Sequence, residues 1–183
     1  MRIISGYFKG RRLDLPKNLK LRPTTDMAKE SLFNVLYNLL DFDEVDALDL
    51  FSGTGSIGYE LVSRGAKSIL AVEQNGQQTR FIESVIKKLE MENMRILRMD
   101  VFQFLKTNKR SFDLVFADPP YDMPELETLP DLVFANELIN PEGIFVLEHP
   151  KHSSFTEHPH FFNHRKYGNV NFSFFKNTKD LAE

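Results

Sequence analysis

Cysteine and tryptophan are both missing from the 183 residues of this chain. Without cysteine, the protein has no disulfides, no thiolate zinc site, no iron–sulfur cluster and no thiolate nucleophile. No apolar run approaches the roughly 20 residues that a membrane-spanning helix needs. The N-terminal residues Met-Arg-Ile-Ile-Ser-Gly-Tyr lack the apolar segment of a secretory signal. These absences predict a soluble, cytoplasmic protein.

The charges that are present are unevenly distributed. The net charge is −3, yet residues 1–30 contain eight basic and three acidic residues, which makes that segment +5. The rest of the chain is correspondingly acidic. A basic arm on an acidic body is either a solvated surface or a contact site for phosphates at one end of the molecule.

Apolar periodicity predicts one α/β unit with a small extension. Residues 1–24 form the basic extension, with a β-hairpin around Gly10, and residues 25–183 form the main domain. Thr25 is expected to cap the first helix, whose apolar face includes Met27, Leu32 and Leu36. The predicted strands are 45–50, 68–73, 95–99, 112–117, 143–148, 161–166 and 169–176, and the later predicted helices are 57–64, 76–91, 101–107 and 124–138.

The order of these segments predicts the sheet. The first five strands alternate with helices, which favours a parallel, doubly wound sheet with crossover helices. The last two strands are separated only by Tyr167, Gly168 and Asn169, so they are expected to form an antiparallel hairpin at the sheet edge. The sheet would then have seven strands.

A glycine-rich loop follows the first predicted strand in Asp49-Leu-Phe-Ser-Gly53-Thr-Gly55-Ser-Ile-Gly58. Gly53 and Gly55 permit a tight turn, and Gly58 permits close packing of the helix on the sheet. Such loops occur in dinucleotide enzymes and in class I S-adenosylmethionine-dependent methyltransferases. Asp49 favours the second group, because its carboxylate would repel a pyrophosphate but attract the ammonium and sulfonium of S-adenosylmethionine.

Acidic residues follow the next two predicted strands. Glu73 ends the second strand and is placed to accept hydrogen bonds from ribose hydroxyls. Asp100 follows the third strand, where it would accept from an adenine amino group or cap the next helix, and these roles are compatible. The candidate cofactor-binding residues in this part of the chain are Asp49, Phe51, Gly53, Gly55, Gly58, Glu73, Asp100 and Val101.

The sequence Asp118-Pro119-Pro120-Tyr121 after the fourth predicted strand indicates an amine acceptor site. Two prolines fix the backbone and remove two N–H donors, which leaves the Asp118 carboxylate and the Pro119 carbonyl as acceptors. Tyr121 offers a face on which a planar base can stack. Strands one and four are neighbours in a doubly wound sheet, so the two motifs are expected to share one cleft. Asp118, Pro119 and Tyr121 are the candidate catalytic residues.

Together these motifs resemble those of amino-group methyltransferases. More narrowly, the segments Arg2-Ile-Ile-Ser-Gly, Leu21-Arg-Pro-Thr-Thr-Asp26 and Glu30-Ser-Leu-Phe-Asn34 resemble the RsmD family, whose members methylate N2 of one guanine in bacterial 16S ribosomal RNA. The resemblance implies a class I methyltransferase fold with S-adenosylmethionine as cofactor and 16S ribosomal RNA or the small ribosomal subunit as partner.

The resemblance also implies roles for residues outside the two motifs. It places Arg22 and Thr25 near the cofactor, and it assigns RNA contacts to Lys9, Arg11, Arg12, Arg22, Thr24 and Tyr167. No membrane or obligate protein partner is expected, and a monomer is the default. No metal site is expected, since the five histidines at 149–164 lie in a segment that is predicted to be mainly loop.

Three alternatives remain open at this stage. The acceptor amine could belong to adenine or guanine in DNA, or to a protein glutamine. A nicotinamide oxidoreductase would explain the glycines and Glu73, but not Asp49 or the turn at 118–121. A non-catalytic RNA-binding ribosome assembly factor would keep the basic arm and would tolerate loss of Asp118.

Overall fold

Five parallel strands and a terminal antiparallel hairpin form the central sheet in a computed structural model that describes residues 1–16 and 25–177. The strand order is β3-β2-β1-β4-β5-β7-β6, and β7 is antiparallel to both of its neighbours. The predicted doubly wound sheet with a terminal antiparallel hairpin is therefore confirmed. The strands are β1 (Asp46–Leu50), β2 (Ser68–Glu73), β3 (Met94–Arg98), β4 (Phe112–Ala117), β5 (Ile139–His149), β6 (Phe161–Tyr167) and β7 (Val170–Lys176).

Helices cover both faces of this sheet. The β4 strand shows how the core is divided, because Leu114 and Phe116 join one buried cluster while Val115 and Ala117 join the other. Two faces of one strand are thus buried, as expected where helices cover both sides. The helices are α1 (Asp26–Tyr37), α2 (Ser56–Ser63), α3 (Gly76–Leu89), α4 (Val101–Thr107) and α5 (Leu129–Ala135).

The helix predicted at 124–138 is wrong in extent. A short 3-10 turn, Leu126–Thr128, precedes α5, which is only seven residues long. Pro130 lies in the first turn of α5, where a missing N–H breaks no intrahelical hydrogen bond. Glu137 has a φ of 52°, so the backbone leaves the helical region before Leu138.

The N-terminal segment packs along α2 rather than standing apart. Its predicted hairpin is reduced to one bridge between Arg2 and Arg12, flanked by backbone hydrogen bonds such as Ile3 N–H to Arg11 O at 3.0 Å. Ile3 and Leu13 are buried in the main core cluster. The Tyr7 N–H donates to the Ser63 carbonyl at the far end of α2. The segment thus runs the length of that helix.

No helix in the described ranges, 1–16 and 25–177, is both long and apolar enough to cross a membrane.

Candidate active site

The carboxyl ends of β1, β2, β4 and β5 open into a cavity of about 1060 Å³. Ligands of open parallel sheets bind at this edge, where the strand order reverses between β1 and β4. The glycine loop and the turn at 118–121 both reach this cavity, as the sequence predicted. Its wall includes Thr25, Phe51, Gly53, Glu73, Asp100, Val101, Asp118, Pro119, Tyr121, Glu148 and Asn169.

The glycine loop turns sharply because three of its residues adopt a positive φ. Phe51, Gly53 and Gly55 have φ values of 55°, 56° and 79°. At Gly55, an added Cβ would lie 2.7 Å from the ring of Tyr59, so a larger residue would displace a buried side chain. The loop is therefore held close to α2, and Gly53 forms part of the cavity wall.

Glu73 connects the loops that follow β1 and β2. Its carboxylate accepts from the Gly53 N–H at 2.9 Å and from the Asn75 N–H at 2.8 Å. The side chain is largely buried but lines the cavity. In addition to the predicted ribose contact, Glu73 fixes the relative position of two loops, which its place in the sequence did not reveal.

Asp49 lies beneath the glycine loop rather than on the cavity wall. It is 2% exposed, and its Oδ2 has no hydrogen-bond partner. Burial raises the pKa of Asp49 to about 7, with a smaller contribution from the Glu73 carboxylate. Gly58 lies beside Asp49: a Cβ added at Gly58 would be 3.5 Å from Asp49 Oδ2. It would also be 2.6 Å from Met94, so the position has little room for a side chain. Asp49, Gly55 and Gly58 thus support the loop from behind.

Asp100 performs the capping role that was one of its two predicted roles. Its Oδ1 accepts from the Gln103 N–H at 3.0 Å, at the start of α4. Asp100 and the adjacent Val101 also line the cavity, so a contact with a ligand there is compatible with the cap.

The turn at 118–121 lines the same cavity, beside the end of β1. Asp118 N–H donates to the Leu50 carbonyl at 3.5 Å, which ties the end of β4 to the end of β1. Burial raises the pKa of Asp118 well above its usual range, and the carboxylates of Glu148 and Asp49 add to the effect. Such a site favours a ligand that presents N–H donors to these oxygens.

Glu148 is a residue that sequence reasoning missed. It lies near the end of β5, is 5% exposed, and accepts from the Tyr121 hydroxyl at 2.9 Å. Burial raises the pKa of the Tyr121 phenol, and the Glu148 charge adds to this. An acidic residue at the end of a predicted strand was the available signal, since Asp49 and Glu73 were found in that way.

The remaining predicted cofactor and RNA residues are partly described. Thr25 caps α1 by accepting from the Ala28 N–H at 3.2 Å, and it lines the cavity. Arg22 and Thr24 lie outside the described residues. Tyr167 packs against Phe172 near the core, and it is Asn169 and Val170 from the following turn that reach the cavity.

The basic arm is smaller than the charge count indicated. Lys29 is 1% exposed, and its ammonium donates to the Arg2 carbonyl at 2.7 Å and lies 3.6 Å from the Glu60 carboxylate. Arg2 forms an ion pair with Asp26 at 2.9 Å. In the described part of the segment, the exposed basic residues without such an ion pair are Lys9, Arg11 and Arg12.

The five histidines do not form one cluster. Across the described ranges, no group of three or more histidine and acidic side chains could hold a metal ion. His149 is buried and lies 2.9 Å from the Ser173 hydroxyl, while His160 stacks on Phe134 with ring centroids 3.9 Å apart. Burial lowers the pKa of His149. These contacts give two of the histidines packing roles in the structure.

Comparison with known proteins identifies the family of this chain. The model of the family described as "Conserved hypothetical protein 95" matches residues 1–176. The chain is 33% identical to ribosomal RNA small subunit methyltransferase D of Escherichia coli K12 over 150 residues, which is 81% of this chain and 74% of that protein. This chain belongs to the RsmD family.

Other proteins resemble this chain in sequence or in fold. The protein of the same description from Buchnera aphidicola is 32% identical over 81% of this chain and 75% of its own length. The solved structure of yhhF from Escherichia coli is 27% identical and covers 97% of this chain and 98% of its own, with a TM-score of 0.86. SMU.776, a methyltransferase solved in complex with SAH, is 15% identical with a TM-score of 0.68, covers 81% of this chain and 49% of its own, and shares the fold.

Proposed function

We propose that this protein transfers a methyl group from S-adenosylmethionine to the exocyclic N2 amine of a guanine in 16S ribosomal RNA. The observation that carries the proposal is the shared cavity, in which the glycine loop after β1 faces the Asp118-Pro119-Pro120-Tyr121 turn after β4. One wall suits an adenosine with a cationic tail, and the other suits an amine on a planar ring. A methyl donor and its acceptor need this proximity.

The residues present fit S-adenosylmethionine. Glu73 and Asp100 supply carboxylates at the ends of β2 and β3, and Gly53 leaves room for close backbone approach. Asp49, with its unpartnered Oδ2, supports the glycine loop from behind the cavity wall. Thr25 closes the cavity from α1. When bound, the cofactor supplies an electrophilic methyl group on a sulfonium.

The turn at 118–121 would position the acceptor amine. The Asp118 carboxylate and the Pro119 carbonyl accept its two hydrogens, so that the nitrogen lone pair is directed into the cavity. Tyr121 stacks against the ring, since its side chain lines the cavity and is 40% exposed. Asp118 also stabilises positive charge that develops on the nitrogen. The proton leaves after transfer, so no strong base is needed.

A ribosomal RNA substrate follows from the family and from the surface. Relatives in the family are named ribosomal RNA small subunit methyltransferases. Lys9, Arg11 and Arg12 are exposed on the N-terminal segment, where they can contact phosphates. The target base must leave its stack to enter the cavity. For such a substrate we expect the enzyme to act in the cytoplasm and as a monomer.

The test is transfer of labelled methyl to purified 16S ribosomal RNA and to assembled small subunits, followed by nucleoside mass analysis. N2-methylguanosine in either substrate is the expected product. Label in DNA or in a glutamine of a protein would keep the reaction and replace the substrate. Cofactor binding without transfer to any of these would favour an assembly factor and would contradict the proposal.

A further inference from the structure

The hydrogen bond between Tyr121 and Glu148 joins two elements that the sequence separates by 27 residues. In the register of β4 with β5, Ala117 pairs with Leu147, so Glu148 lies alongside the start of the turn at 118–121. Glu148 is 5% exposed and lines the same cavity as Tyr121. A buried carboxylate therefore accepts from the hydroxyl at the tip of the proposed stacking ring.

This hydrogen bond restrains a side chain that is otherwise weakly held. The prolines fix the backbone before Tyr121, but they do not fix the torsions of its side chain. The ring is 40% exposed, so surrounding side chains cover only part of it. Glu148 is buried, so this hydrogen bond is shielded from competition with water. Anchoring the hydroxyl at 2.9 Å sets the plane of the ring.

We infer that Glu148 is a positioning residue for methyl transfer, because it holds the ring of Tyr121 in the orientation that stacks the acceptor base. The inference rests on the proposed function. Glu148 acts through Tyr121 and need not touch the base. Removing the hydrogen bond is therefore expected to impair use of the acceptor and to leave cofactor binding unchanged.

A double-mutant cycle on the full-length protein tests this role. E148A removes the acceptor, Y121F removes the hydroxyl and keeps the ring, and E148Q keeps an oxygen that accepts the hydrogen bond. We expect E148A and Y121F each to lower kcat/KM for the RNA by about tenfold, with cofactor affinity unchanged. The double variant is expected to be no worse than either single variant, and E148Q is expected to restore most of the loss.

A second measurement needs no substrate. In protein labelled at the tyrosine rings, the NMR signals of Tyr121 are identified by their loss in Y121F. In E148A these signals are expected to move towards those of a freely rotating ring, and in E148Q they are expected to stay near the wild-type positions. Unchanged Tyr121 signals in E148A would overturn the inference even if no substrate were known.

The outcomes separate this inference from the proposed function. If the wild type methylates a different amine, the same variants are compared on that substrate. With an active wild type, additive effects of E148A and Y121F would show that Glu148 does not act through Tyr121. An E148Q variant as impaired as E148A, with Y121F normal, would show that the Glu148 charge acts directly. Either result would overturn the positioning role and leave the proposed function intact.

Discussion

Three acidic side chains at the carboxyl edge of the sheet have different surroundings, and this difference determines what each can do. Glu73 accepts two backbone N–H bonds, Asp49 is buried with an unpartnered oxygen, and Asp118 lies beside other carboxylates. Hydrogen bonds to a carboxylate favour its charged form, whereas burial and like charges favour the protonated form. The same kind of group therefore anchors two loops at Glu73, lies buried behind the glycine loop at Asp49 and lines the cavity at Asp118.

Replacing Asp118 tests the acceptor wall. We expect D118A to lower methyl transfer by about 100-fold or more, because the carboxylate stabilises charge that develops only during transfer. Cofactor affinity should change little, since the cofactor residues lie on the opposite wall. Turnover and S-adenosylmethionine binding, measured on the same preparation, check this. Near-normal turnover would remove Asp118 from the mechanism.

Replacing Glu73 tests the cofactor wall. We expect E73Q to weaken S-adenosylmethionine binding by about tenfold or more, because an amide has one accepting oxygen where the carboxylate accepts from two N–H groups. The proposed ribose hydroxyl would compete for that single oxygen. Calorimetric titration measures the change. N136Q, just after α5 and away from the cavity, is the control. Unchanged affinity in E73Q would assign Glu73 to loop anchoring alone.

Asp49 predicts a pH dependence of stability. Its pKa is about 7 in the folded chain, above the ordinary value of 3.8, so the folded state binds a proton more tightly than the unfolded state. The free energy of unfolding therefore falls as pH rises from about 4 to about 7, and D49N removes this part of the slope. The free energy of unfolding is measured in urea, without cofactor, at pH 5 and at pH 7. The decrease from pH 5 to pH 7 should be about 2 kcal/mol larger in the wild type than in D49N. Parallel pH curves would contradict the burial argument.

At the scale of elements, α2 joins the N-terminal segment to the sheet through one buried carboxylate. Glu60 accepts from the Ile4 and Ser5 N–H groups, pairs with Arg64 at 2.9 Å, and faces the ammonium of Lys29 on α1. Burial lowers the pKa of Lys29, which Glu60 partly opposes. Apolar periodicity could not predict this arrangement, because it placed Met27 on the buried face of α1, whereas Met27 is 65% exposed and Lys29 is buried.

The buried pair predicts a large loss of stability on truncation. We expect K29A to lower the free energy of unfolding by about 3–5 kcal/mol, because the Glu60 charge then stays buried with less compensation. Lys67 provides a matched control, since it approaches Asp46 at 3.8 Å and is 56% exposed. K67A should cost less than about 1 kcal/mol. Urea denaturation compares the two, and equal losses would contradict the role of burial.

At the scale of the whole molecule, charge separates the active-site cavity from a nearby basic surface. The cavity is acidic, with Glu73, Asp118 and Glu148 on its wall. Arg12 lines a neighbouring groove together with Thr25, and Thr25 also belongs to the cavity wall. Arg11 and Lys9 continue from there along α2. An RNA strand can thus contact this basic surface while its flipped base enters the acidic cavity.

Removing the three exposed basic residues tests this surface. We expect a variant with Lys9, Arg11 and Arg12 changed to alanine to bind RNA more weakly and with a smaller salt dependence. The slope of the logarithm of the binding constant against the logarithm of salt concentration should become shallower by roughly 0.7–0.9 for each phosphate that is no longer neutralised. Lys87, Lys88 and Lys109, which are also exposed, give a control variant of equal charge. Filter binding at several salt concentrations measures both. Equal slopes for the two variants would show that only net charge matters.

Much of the architecture follows from the sequence alone. Apolar residues predicted a strand at each of the seven positions of the sheet, although β5 begins at Ile139 and not at residue 143. Central strands such as β1 and β4 are recognisable because both of their faces are buried, whereas β6 is mainly exposed. The motifs at strand ends predicted the two walls of the cavity, since parallel strands bring their carboxyl ends to one edge. Glycines and prolines in fixed positions made these turns recognisable.

Only the tertiary structure determined which polar groups meet across distant elements. The hydrogen bond of Tyr121 with Glu148, the burial of Lys29 against Glu60, and the position of Asp49 behind the glycine loop all depend on the packing of separate elements. Local sequence encodes backbone preference and apolar period, but a polar side chain gives no local sign of its partner. Its burial, its hydrogen bonds and its pKa are set when helices and strands come together, since only then is water removed and the partner brought within reach.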